Sequence, residues 1–208
     1  MSSDCITSSA TVFSEARWLF CERRTLRVAE VTGPRKFSMD EIARAGRIGR
    51  ATLYLHFPGK EALIGATVER ELSRFFAKVT AAVEPVDDPE DRLVAGFATG
   101  YRALRDHQAL QTILRTNPDA IRTYFMGPQS PAMERSREFI VSLTRGENIP
   151  EEMRAPFAEH VARCVHSLVP TPGGVLDIDG PEGPENYARN FLVPVLHRIL
   201  DGAGIASV

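Results

Sequence analysis

Four side chains that can donate hydrogen bonds alternate with smaller or apolar ones in R-A-T-L-Y-L-H-F, the stretch from Arg50 to Phe57: Arg50, Thr52, Tyr54 and His56. A guanidinium, a hydroxyl, a phenol and an imidazole are the groups that reach phosphate oxygens and the edges of nucleobases. Taken singly, Tyr54 and His56 would pass for a surface ring and a solvated imidazole; their spacing makes them worth placing. Catalysis finds no comparable set. The chain has no G-x-S-x-G, phosphate loop, H-E-x-x-H or G-x-G-x-x-G, so no catalytic residue is expected. His160, Cys164 and His166 invite a metal reading, but only the first two share a helix face and no fourth ligand lies near, so no metal and no cofactor is expected. The acidic run Asp177, Asp179, Glu182 and Glu185 lacks a calcium-loop pattern and reads as solvated surface.

The elements that must hold the four donors are helical. Proline and glycine cut the chain into helix-length pieces, and no alternating series bounded by hairpin turns occurs, so the fold class is all-α. A Ser/Thr-rich arm up to about Thr11 precedes a helix within Phe13 to Val31 that stops at Gly33-Pro34. Ser38-Met39-Asp40-Glu41 forms a capping box opening a short helix that ends at Gly46 or Arg47. A second short helix covers about Arg50 to Phe57, with Leu53 and Phe57 turned inward. Two short helices joined by a tight turn, the second rich in donors, describe a helix-turn-helix whose second helix enters the DNA major groove.

From Lys60 to Val83 a stripe of Ile64, Val68, Leu72, Phe75, Val79 and Val83 marks a long helix. At 1.5 Å per residue it spans roughly 35 Å, enough to join two parts of the molecule. Further helices are expected at Pro89 to Asp106, Ala109 to Arg115, Pro118 to Phe125, Pro131 to Thr144, Glu151 to Leu168 and Pro184 to Leu200, the last interrupted near Pro194.

With 208 residues, 43% apolar content and 25% charge, the chain can bury a stable core and is neither fibrous nor disordered in composition. No run of eighteen apolar residues exists, charged residues interrupt the first thirty, and the three cysteines are odd in number and far apart, so a cytosolic protein with no membrane partner is expected. The net charge of -2 is unevenly spread: residues 15–60 carry ten Lys or Arg against five acids, and residues 81–208 carry twelve Arg against eighteen acids. An anionic partner is therefore expected for the first part only.

The run M-D-E-I-A-R-A-G-R-I-G-R-A-T-L-Y-L-H-F-P-G-K-E-A-L, Met39 to Leu63, resembles the DNA-binding signature of the TetR family of bacterial transcriptional regulators. That resemblance implies a three-helix helix-turn-helix domain over residues 1–60 and a helical ligand-binding and dimerisation domain over 61–208. It implies a homodimer on a palindromic double-stranded operator, acting as a repressor and released by a small-molecule effector. It also assigns roles: Ser38 and Lys60 to the phosphate backbone, Tyr54 and His56 to phosphates, Arg50 and Thr52 to DNA with Arg50 reading a base, and Leu55 against a thymine methyl. The last two helices resemble the pair that forms a four-helix dimer interface. Where the family usually has Ala-Gly before the turn, this chain has Gly46-Arg47, which would put Arg47 in a left-handed slot that glycine normally fills. The preceding helix lacks the family's usual Ala-Ala and Leu-Phe pattern.

Phe97, Tyr101, Tyr124, Phe125, Met126, Met133 and Phe139 are the candidates for lining an effector cavity, with the ordinary core as the competing destination. Two rival functions remain open at this stage: a regulator whose C-terminal domain binds a protein partner, and a helical enzyme or carrier that does not bind DNA.

Overall fold

The computed structural model describes Thr25, residues 37–116, Pro118 and residues 130–202. The N-terminal arm, the helix expected within 13–31, most of that expected over 118–125, and the candidates Tyr124, Phe125 and Met126 lie outside the described residues. Among the described residues every regular element is helical, as the punctuation of the sequence requires.

Helix α1, Met39–Gly46, starts on the capping box. The Glu41 amide donates to Ser38 Oγ at 3.2 Å and the Ser38 amide donates to Glu41 Oε2 at 2.7 Å. The Ser38 backbone bond is the main reason that the Glu41 carboxyl sits below its ordinary pKa. α1 ends at Arg47, whose φ of 51° and ψ of 40° lie in the left-handed region, so the arginine does take the slot that glycine would fill more easily. Helix α2, Arg50–His56, follows with Gly49 as its cap. Phe37, Ile42, Leu53, Phe57 and Leu63 close a small core around these two helices.

Helix α3, Lys60–Val83, has the expected span, but its buried face shifts along its length. Leu63 and Thr67 are buried near its start and Val79 and Val83 near its end, while Ile64, Val68, Leu72 and Phe75 are half-buried. The shift has a physical cause: the first turns pack into the N-terminal core, whereas the last turns lie on the next helix, α4, Pro89–Arg105. One rod thus touches both halves of the molecule.

α4 is followed by α5, Gln108–Thr116, α6, Pro131–Leu143, and α7, Glu151–Leu168. The C-terminal helix begins as α8, Gly183–Tyr187, widens into a π-turn over Ala188–Leu192 and resumes as α9, Val193–Leu200. Pro194 has no amide to give and its ring crowds the carbonyl four residues back, which accounts for the interruption expected there. A second, larger core joins α4, α7 and the C-terminal helix through Phe97, Tyr101, Phe157, Val161, Leu192 and Leu196.

Of the acidic run, Asp177 and Glu182 are exposed as expected, but Asp179 and Glu185 are not merely solvated. Asp179 accepts from the Tyr101 hydroxyl at 2.8 Å and from Arg105 Nε at 3.0 Å, and Glu185 accepts from Arg102, which also donates to the Pro181 carbonyl at 2.6 Å. Sequence spacing could not reveal these pairs, because more than seventy residues separate the partners. Burial raises the pKa of Asp179, but the bonds from Tyr101 and Arg105 outweigh it and hold the carboxyl below its usual range. Tyr101 is pushed up to about 12, first by burial and then by Asp179. Gly183 lets this loop close: a Cβ there would stand 2.2 Å from the Asp177 carbonyl oxygen. Among the described residues no helix is long and apolar enough to cross a membrane.

Candidate nucleic-acid interface and core cavity

α2 separates its residues cleanly. Leu53 is fully buried and Phe57 nearly so, which fixes the helix on α1. Arg50, Thr52, Tyr54, Leu55 and His56 are all exposed, with Leu55 at 85% and the Arg50 side chain at 68%. A leucine left this open on a short helix gains little from folding and is available to a partner. The helix starts at Arg50, so the guanidinium sits in the first turn, where recognition helices make their base contacts.

Arg50 has a neighbour that the sequence did not suggest. Its Nε lies 2.7 Å from Asp40 Oδ1 on α1, an ion pair across the turn. The direction is not that of a linear hydrogen bond, since Oδ1 is enclosed yet has no hydrogen-bonding partner.

Ser38 and Lys60 come together at one corner. Ser38 is exposed; its oxygen accepts within the cap while its proton stays available to an acceptor. Lys60 Nζ sits 4.5 Å from the centroid of the Phe37 ring and helps to lower the Glu41 pKa. The two N-termini, of α1 and α3, therefore share a cationic, amide-bearing corner beside the exposed face of α2.

The larger core holds a cavity of about 130 Å³ between α3, α4, α6 and α7. Of the candidates named from sequence, Phe97 and Phe139 line it. Tyr101 does not reach its wall: the ring stacks beside Phe97 with centroids 6.4 Å apart, and its hydroxyl is turned to Asp179. Met133 is buried in the first turn of α6, behind the Ser130 cap, and is also away from the wall. Phe75, Phe76, Phe157, Arg92, Glu147 and His166 line the cavity and were not singled out from sequence. Phe76, next to Phe75 but off the α3 stripe, was the available signal, since two neighbouring rings on a helix present a wide aromatic face.

The residues of the metal reading diverge. His160 is exposed, Cys164 is half-buried with its thiol raised in pKa by burial, and buried His166 places Nε2 3.4 Å from Ser136 Oγ. Among the described residues no three His, Cys, Asp or Glu side chains are grouped to hold a metal ion.

A capped helix, a left-handed turn and a second helix with a buried seam and an exposed polar face define a helix-turn-helix DNA-binding module joined to a helical domain. Comparison with known proteins agrees. Residues 23–67 match the family model described as bacterial regulatory proteins, tetR family. An uncharacterized HTH-type transcriptional regulator of Mycobacterium tuberculosis is 32% identical over 140 residues, covering 67% of this chain and 68% of that one. The crystal structure of the TetR family repressor AlkX from Dietzia sp. strain DQ12-45-1b superposes with a TM-score of 0.62 at 21% identity, over 86% of this chain and 97% of that one. A TetR-like transcriptional regulator from Rhodococcus sp. RHA1 gives a TM-score of 0.58 at 20% identity, over 87% and 96% of the two chains. The chain belongs to the TetR family of bacterial transcriptional regulators. It is a DNA-binding regulator and not an enzyme.

Proposed function

We propose that the chain is a repressor that binds a palindromic operator as a homodimer and is released when a small molecule occupies the cavity. The observation that carries this reading is the length of α3: Leu63 near its start is part of the N-terminal core, while Phe75, Phe76, Val79 and Val83 line the cavity. A ligand that parts α3 from α4 would swing the attached helix-turn-helix. Two recognition helices must sit roughly 34 to 36 Å apart to meet successive turns of one duplex face, so a modest swing suffices to spoil the fit. Such release requires only that the ligand bind the two arrangements with different affinity. That AlkX is a repressor, at 21% identity, is consistent with this direction of control.

Exposure supports the DNA-facing roles of six residues: Arg50 and Thr52 for DNA contact with Arg50 reading a base, Leu55 for a thymine methyl, and Ser38, Tyr54 and His56 for phosphates; half-buried Lys60 joins the phosphate contacts through its place at the start of α3. Residues 1–60 would form the DNA-binding part and 61–208 the dimerising and sensing part. The cavity favours a small-molecule effector over a protein partner for the second part, because a core built only to support an interaction surface would be filled.

The test is a duplex selected from genomic fragments, titrated by fluorescence anisotropy over a salt series. Affinity should fall steeply with salt. Arg50→Ala should lower the preference for the selected duplex, and Lys60→Ala should weaken all duplexes alike. Equal losses on every duplex for both variants would refute this division of roles.

A further inference from the structure

The wall of the cavity says what kind of molecule it suits. Among the described residues five phenylalanines, Phe75, Phe76, Phe97, Phe139 and Phe157, provide much of the surface. Every polar side chain on the wall already has an internal partner. Arg92 and Glu147 form an ion pair, with side chains 28% and 17% exposed. The Thr144 hydroxyl donates to the Val141 carbonyl at 2.9 Å, and Ser136 Oγ lies 3.4 Å from His166 Nε2.

An entering anion would have to take Arg92 from Glu147, which is held beside it by the fold, or be buried without a counter-charge; both are costly. An entering cation meets the same obstacle at Glu147. A molecule with many hydroxyls would leave them unmatched. An apolar molecule gains from burial against the rings and asks nothing of the ion pair. The size is also restrictive, since an apolar cavity of about 150 Å³ holds a single benzene ring.

We propose that this cavity takes a compact, uncharged, largely apolar molecule about the size of a substituted benzene, and that the closed Arg92–Glu147 pair excludes organic anions of the same shape. The proposal rests on the reading of the cavity as the effector site.

Acetophenone and benzoate test it, because they share size and planarity and differ in charge. Calorimetric titrations of the full-length protein at pH 8, above the ordinary imidazole range, should show acetophenone binding at least about tenfold more tightly than benzoate. Glu147→Gln frees Arg92 and should raise benzoate affinity about tenfold while leaving acetophenone within a few-fold. The double variant Arg92→Gln, Glu147→Gln should lose that gain, and it also stands in should the single variant fail to fold, its preference then matching that of the unaltered protein. Benzoate binding as tightly as acetophenone to the unaltered protein, or an unchanged ratio in Glu147→Gln, would overturn charge exclusion and leave the cavity as a ligand site. Absence of binding by both at millimolar concentration would overturn the effector-site reading and this proposal together.

Discussion

Arg47 holds a left-handed backbone, φ 51°, without being glycine, at the bend on which the placement of α2 depends. A side chain in that region costs roughly 1–2 kcal/mol relative to glycine. Arg47→Gly should therefore raise the unfolding free energy by about 1 kcal/mol in urea denaturation; a loss of stability would mean that the arginine side chain makes a contact worth more than its strain. At the other end of α1, Asp40 bears on what Arg50 can do. Asp40→Ala removes an anion from the side proposed to face DNA and frees the guanidinium. Binding to unrelated duplexes should tighten, while discrimination in favour of the selected duplex should drop by about 1 kcal/mol, the lower end of what one base contact confers. Anisotropy titrations with both duplexes read the two effects separately, and a uniform gain on both would show that Asp40 only screens charge.

The joints between helices decide how rigidly the sensing domain transmits a push. α4 is the common partner: α3 lies against it, and its last turns hold the 170–182 loop through Tyr101, Arg102 and Arg105. Asp179→Ala leaves the buried Tyr101 hydroxyl without its acceptor, which should cost about 1–3 kcal/mol and show as a lowered melting temperature. The Asp179 carboxyl has a folded pKa below its unfolded value, so its contribution is complete above the ordinary aspartate value of about 4 and disappears as pH falls through the folded value. Melting curves of the variant and the unaltered protein should therefore converge in acid. A difference that persisted at low pH would place the effect in packing instead of charge.

For the molecule as a whole, operator binding in the proposed form demands two copies. Phe191, on the π-turn, is half exposed, and Leu176 in the preceding loop is nearly so, which supports a partner over the C-terminal helix. Phe191→Asp should yield a monomer by light scattering and lower operator affinity at least tenfold while leaving the circular dichroism spectrum intact. A dimer that survives this change with undiminished DNA binding would move the interface elsewhere.

Local information was enough to place helices α1 to α3 and the exposure of the side chains proposed to face DNA. The capping box, the Gly-Arg bend, the Pro-Gly break and helical periodicity act within a few residues of each other, so α1, α2, α3 and the exposure of Arg50, Thr52, Tyr54, Leu55 and His56 were readable along the chain. The start of the recognition helix was not readable in this way, since the sequence leaves Gly49 and Arg50 both open; the structure starts the helix at Arg50 with Gly49 as its cap. What the chain order hides are meetings between distant segments. Asp40 against Arg50, Asp179 against Tyr101, and Arg92 against Glu147 depend on how helices cross, and so does the choice between core and cavity for Phe97, Tyr101, Met133 and Phe139. A ring has the same hydrophobicity on either side of a packed layer; only the neighbours supplied by the tertiary fold decide whether it fills space or borders it.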